Sequence, residues 1–341
     1  MRRCLTPLAW IAVTALALFG RAESGAQPAA PMPQPPTTQP TAPTAPPPAP
    51  ATPEPTSPFA PLTSAALGDT SVAMTAPGYL DPAAPANVFR FRFDFEHFID
   101  RPDRAEFFYA KSGLLGGRGV NELQSTINTQ VLTSYLEVAP TSGFSVFADL
   151  PYRIVKEQAD TDVDRGISDI DFGIKTALIL QPDQILSLQL KAYAPSGNAS
   201  DGLGNGHWTF EPSLLAWKKL GDKTQIYAQF GDWIPLTNSD FAGNVLEYGA
   251  GVSYTAFERG NFRVSPIVEV LGWSVLSGKE FTGLTTPVPM VLDAAGTTIV
   301  NAKFGVRLEA GSQSLYFGYG QALTHDVWYR DIFRMEYRVQ F

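Results

Sequence analysis

Arg90, Arg92, Asp94 and Glu96 stand at alternate positions early in the chain. Arg330, Arg334, Glu336 and Arg338 do so at its end, and Lys303 and Arg307 fall between them. Side chains two residues apart share one face of a strand. If the first and last strands of a sheet pair, eight of these charges come together on one surface. Two kinds of chemistry suit such a surface. One is a network of mutual salt bridges that seals the seam; the other is a charged lining that selects anionic solutes, as charged rings do in pores. Both readings remain open from the residues alone.

Other chemistry finds little support. His97, His207 and His325 are scattered over three elements without metal-ligand spacing, so neither metal nor cofactor is expected. An outward Ser/His pair near a barrel rim would make a hydrolase, and His97 is predicted near the outer rim. No serine is placed convincingly beside it, and the chain is not expected to be an enzyme. Gly202-Leu203-Gly204-Asn205-Gly206 joins two strands and no helix follows it, so it reads as a flexible external loop and not a phosphate cradle. The single cysteine, Cys4, precedes an apolar stretch that is expected to be cleaved off.

The elements that must carry the charges are strands. Residues 329–341 alternate between Tyr, Asp, Phe, Met, Tyr, Val, Phe and Arg, Ile, Arg, Glu, Arg, Gln. A period of two means a strand with one apolar and one polar face, and a tilted strand that crosses a bilayer needs about 9–11 residues. The chain ends on Phe341, which is predicted to serve as the insertion signal read by the barrel-insertion machinery. From Val88 onward the same rhythm predicts twelve strands: 88–99, 126–138, 143–155, 167–180, 184–194, 206–219, 223–235, 243–257, 261–274, 297–310, 313–324 and 328–341. Short connections alternate with long ones, as periplasmic turns and external loops do in outer-membrane barrels. Phe89, Phe91, Phe93 and Phe95 would face lipid. An Arg or Lys on that face at mid-membrane would cost about 2–4 kcal/mol, so the charged phase must face inward. Fold class is therefore all-β: an antiparallel up-and-down transmembrane barrel of about twelve strands. Its first loop carries Arg101 to Tyr109, charges followed by three aromatics, which either fold inward as a constriction or, the favoured reading, form an interfacial belt or a packed loop.

Ahead of the barrel, residues 1–26 read as a signal peptide, with Arg2 and Arg3, an apolar run from Leu8 to Phe19 and a small-residue site at Ser24-Gly25-Ala26. The next segment, 27–61, is proline-rich, with fifteen prolines over 28–61. It cannot bury a core and is expected to be disordered, extending to roughly 100 Å. It serves as a spacer or as an arm that touches the cell wall. An irregular periplasmic segment, 62–87, leads into the barrel at 88–341. A net charge of −8 argues against nucleic acid as a partner. The expected partners are outer-membrane lipid and a small-molecule solute.

Three stretches carry a family resemblance. Phe144 to Tyr152 is a strand that ends in Leu-Pro-Tyr. Gly166 to Lys175 fits Gly-x-x-Asp-hydrophobic-x-x-Gly-x-Lys. Ala194-Pro195-Ser196-Gly197 followed by Gly202-Leu203-Gly204 fits Pro-Ser-Gly … Gly-Leu-Gly. In this order they resemble the outer-membrane barrels of the MetA-pathway of phenol degradation family, similar in turn to hydrophobic-compound transporters of the fatty-acid channel type. The resemblance covers about residues 88–341. It implies passive passage of small, often aromatic or hydrophobic, compounds across the cell outer membrane. No long amino-terminal hatch of the fatty-acid channel kind is expected. The alternative is a plugged structural barrel tied to the cell wall through the proline-rich arm.

Overall fold

A computed structural model describes residues 77–102, 109–110, 112–113, 116–121, 124–157, 163–236, 241–282 and 290–341. The expected signal peptide and proline-rich segment, residues 62–76 and residues 103–108 of the first loop lie outside the described residues.

The strands are β1 (Val88–Asp100), β2 (Thr126–Thr141), β3 (Phe144–Glu157), β4 (Val163–Ile167), β5 (Ile170–Gln181), β6 (Gln184–Ala194), β7 (Thr209–Leu220) and β8 (Thr224–Pro235). They continue with β9 (Val245–Tyr254), β10 (Phe257–Arg259), β11 (Phe262–Val275), β12 (Lys279–Thr282), β13 (Met290–Asp293), β14 (Thr298–Ala310), β15 (Gln313–Ala322) and β16 (Tyr329–Gln340). One sheet holds fourteen of them; less the short accessory pieces β4 and β10, this leaves twelve staves. All pairings are antiparallel. The wall closes where β1 meets β16, from Val88 opposite Gln340 to Ile99 opposite Tyr329. The β12–β13 hairpin stands apart, in the long loop between β11 and β14.

Alternation builds this wall for the reason foreseen. Phe89, Phe91, Leu136, Phe172, Ile174, Leu214, Phe230, Val270 and Phe304 are exposed on the outside, while Glu137, Lys175, Glu211, Arg307 and Glu336 are almost wholly buried within. An apolar exterior over a charged interior inverts the soluble pattern, and it is stable only where lipid replaces water outside. Closure pairs every stave on both sides, which leaves no open sheet edge in the hydrocarbon layer. Short turns lie at the end where β1 begins. Two of them, at Gly221 (φ 71°) and Gly311 (φ 60°), use the left-handed backbone that glycine adopts without penalty.

Two features depart from the simple strand reading. The stave expected over 167–180 is broken: β4 pairs the far part of β3, β5 pairs the near part, and Ser168 and Asp169 lie between them with both side chains buried. The register of β1 against β2 shifts between Glu96 and Ile99, at a bulge where Phe98 has φ 57° and donates its N–H to Asn128 Oδ1 at 2.8 Å.

Candidate functional site

At the seam the charges pair with one another. Arg334 grips Asp94 with two parallel bonds, Nε to Oδ1 at 2.6 Å and Nη2 to Oδ2 at 2.9 Å. Arg92 lies 3.2 Å from the same carboxylate. Glu336 accepts from Arg307 at 3.1 Å and from Arg338 at 3.2 Å. Arg90 stacks its guanidinium 3.5 Å above the Tyr135 ring. Glu96 accepts from Thr129 at 2.7 Å. Lys303 donates to Tyr329 Oη at 2.6 Å and sits 4.0 Å from the Tyr79 ring centre. Nine of the ten charged positions singled out from the sequence thus meet on the inner wall. The tenth, Arg330, does not join them. The β1 bulge changes which positions point inward: Tyr329 is buried, while Arg330 is exposed and stacks 4.0 Å over Phe98. Phe341 is exposed, with its N–H donated to Asn87 O at 3.2 Å.

Residues 77–87, assigned above to a periplasmic segment ahead of the barrel, run inside it as a collar along the inner wall. Ala86 N–H donates to Glu137 on β2 at 3.2 Å, and Ser187 on β6 donates to Ala83 O at 2.6 Å. The Asp81 carboxylate accepts from Gln189 at 2.8 Å and from Lys191 at 3.1 Å, while its N–H donates to Gln229 on β8 at 2.9 Å. Three successive N–H groups, of Gly78, Tyr79 and Leu80, converge on the Glu269 carboxylate of β11 at 3.0, 2.8 and 3.4 Å. Arg307 and Arg334 donate to the carbonyls of Pro77 and Gly78 at 2.9 and 3.0 Å. A chain without secondary structure can lie in a lumen only if its backbone groups are paired, and the inward charges pair them. Burial pushes the Asp81 carboxyl up, but the Lys191 and Arg90 charges outweigh it and hold the group below the usual carboxylate range.

Gly78 owes its place to close approach. A Cβ there would lie 2.1 Å from Tyr316 Oη, and one at Gly305 or Gly318 would also collide with that ring. Gly305 and Gly318 face each other across β14 and β15, so three glycines make the slot that Tyr316 fills. Prolines at 77 and 82 around Tyr79, Leu80 and Asp81 are the sequence signal that could have located the collar; it has no period for a strand reading to detect.

Beyond the collar, toward the long loops, a chamber of about 270 Å³ opens, with Asp171, Tyr193, Trp233, Trp328, Tyr109 and Glu96 among its lining. The stretches that carried the family resemblance shape its mouth. Asp169 accepts from Gly197 N–H at 3.0 Å and from Asn205 N–H at 2.7 Å. Ser168 Oγ donates to Leu203 O at 2.6 Å. A Cβ at Gly204 would lie 2.4 Å from Asp169 Oδ1. The loop read from sequence as flexible is therefore pinned, and Leu203 packs inward against Tyr109, Ile127 and Val155. Tyr109 of the first loop is buried there and donates to Glu157 at 2.5 Å. His97 pairs with Asp331 at 3.1 Å rather than with a serine. Among the described residues no group of three or more metal-ligating side chains occurs.

A closed twelve-stave cylinder, apolar outside and charged within, defines an outer-membrane β-barrel. The family described as "Putative MetA-pathway of phenol degradation" matches residues 107–327, and the chain belongs to that family. No curated protein matches the sequence. Among solved structures, an outer membrane channel from Pseudomonas putida F1 is similar, at 13% identity and TM-score 0.49, over 78% of this chain and 100% of that one. The NanC porin is similar at 7% identity and TM-score 0.42, over 74% and 100%. LpxR from Salmonella typhimurium is similar at 10% identity and TM-score 0.42, over 75% and 100%. These are likenesses of general barrel form.

Proposed function

We propose that the chain is a passive outer-membrane channel for small compounds, aromatic ones among them, driven by the solute gradient. One observation carries this reading: buried charged and polar side chains crowd the inner wall beside an apolar cluster and enclose a chamber on the loop side, above a collar that hydrogen bonds and ion pairs tie to the wall while Leu80 and Ala83 pack into that cluster. An apolar cluster packs part of the interior, but buried ion pairs add little stability over well-packed hydrophobic residues, so the charged remainder is better explained by a solute path than by rigidity. On this reading the collar narrows the path. The full chain in planar bilayers is expected to give small stepwise currents, and a variant lacking residues 77–87 larger ones. Silence from both would sink the channel reading.

The collar also favours a second reading, a plugged barrel that anchors the membrane through residues 28–61. That reading expects silence from the full chain, together with cell-wall capture that depends on those residues. The seam arginines bear on selectivity only if solute passes them. In that case Arg338→Glu should shift ion preference toward cations; unchanged selectivity would place the path elsewhere.

A further inference from the structure

Asp149 on β3 and Asp171 on β5 lie directly opposite each other in the wall. Both side chains face inward and both residues are at least nine-tenths buried. Oδ1 of each receives no hydrogen bond from any described residue. Like charges directly across a strand pair destabilise a sheet, and a buried carboxylate oxygen without a partner costs more. The other charged groups acting on Asp171 are Glu211 and Asp81, against Lys191. That lysine is already engaged, 3.1 Å from Asp81 and 3.6 Å from Glu211. Three arginines line the same chamber: Arg334 and Arg92 share Asp94, and Arg153 lies near Glu96 and Asp169; Arg90, outside the chamber, acts on Asp149 and Asp81. The lining carries Asp94, Glu96, Asp169 and Asp171 against Arg92, Arg153 and Arg334, one carboxylate in excess, and among these four the oxygen without a hydrogen-bond partner belongs to Asp171.

Four aromatic residues, Tyr109, Tyr193, Trp233 and Trp328, share the lining with aliphatic and polar side chains. Tyr193 is the residue opposite Asp171 on β6. Trp233 and Trp328 meet edge to face at 5.5 Å, and with Tyr109 they line the same cavity. Carboxylates beside aromatic rings recognise an organic cation: the ammonium takes the open oxygens and the ring faces attract the charge and cover the hydrocarbon. A hard metal ion fits less well, since it wants six or more oxygen ligands. A neutral aromatic would leave the open carboxylate oxygen of Asp171 as it is, and an anion would be repelled.

We infer that the chamber above the collar is a binding site for a small aromatic ammonium compound, with Asp171 holding the cationic nitrogen and Tyr193, Trp233 and Trp328 enclosing the ring. As a statement about transported solute this rests on the channel reading above; as a statement about binding it does not. The probes are benzylamine, benzyl alcohol and benzoate at pH 7, titrated into the full chain in detergent by calorimetry and tryptophan fluorescence. Benzylamine is expected to bind roughly tenfold or more tighter than benzyl alcohol, with benzoate weakest, and Asp171→Asn should erase the preference. Equal affinity for benzylamine and benzyl alcohol, or a preference that survives Asp171→Asn in a folded variant, overturns the assignment. Should that variant not fold, the three-ligand comparison on the unaltered chain decides alone. Bilayer recordings on the same preparation separate the two proposals. Preferential binding with no current removes the channel and leaves the site; current with no preference removes the site and leaves the channel.

Discussion

Arg334 joins three stretches of chain that are far apart in sequence. Its guanidinium holds Asp94 across the seam, the Gly78 carbonyl of the collar and, at 4.2 Å, the Tyr79 ring. Its planar fork suits this task, because two parallel bonds to one carboxylate still leave a nitrogen for a third partner. Arg334→Ala would leave Asp94 buried with only the more distant Arg92, and such a broken pair costs about 3–5 kcal/mol. We expect a loss of that size in urea unfolding from detergent micelles. Arg334→Lys should recover little of it, because an ammonium cannot reproduce the fork. A near-neutral Arg334→Ala would mean that the seam does not depend on this contact.

At the scale of elements, the collar and the pinned loop are the two irregular pieces that give the lumen its shape. Each is held by a carboxylate that collects backbone N–H groups: Glu269 for the collar, Asp169 for the loop. Asp81 adds an ion pair to the collar. Its folded pKa lies below the ordinary value of about 3.9, so its contribution is complete above about pH 5 and is lost only as the pH falls toward the lower, folded value. The destabilisation by Asp81→Asn, about 1–3 kcal/mol for a partly buried pair, should therefore be the same at pH 7 and pH 5. A penalty that fades by pH 5 would show that Lys191 does not hold the carboxyl ionised.

At the scale of the whole molecule, assembly and stability separate at Phe341. The side chain is two-thirds exposed, at 67%, so the folded barrel gains little from it. If the terminal aromatic is read by the insertion machinery, Phe341→Ala should lower the yield of membrane-inserted barrel in cells. The unfolding free energy of barrel refolded in vitro should shift by no more than about 0.5 kcal/mol. Equal losses in both would make Phe341 a packing residue and not a signal.

The amino-acid order determined the barrel by itself, because a two-residue period is a local property: each strand's lipid face and lumen face are written in adjacent letters. It likewise placed Arg90, Arg92, Asp94, Glu96, Lys303, Arg307, Arg334, Glu336 and Arg338 on one inner surface, since alternation and closure suffice for that. Arg330 escaped because the inward phase changes at the bulge around Phe98, whose N–H donates to the Asn128 side chain. The collar and the pinned loop have no period at all. Their positions follow from hydrogen bonds to residues up to 256 positions away in the chain, and the open carboxylates of Asp149 and Asp171 became neighbours only when β3 paired with β5. Tertiary structure alone decided what fills the lumen, because an irregular backbone lies wherever partners for its polar groups have been assembled.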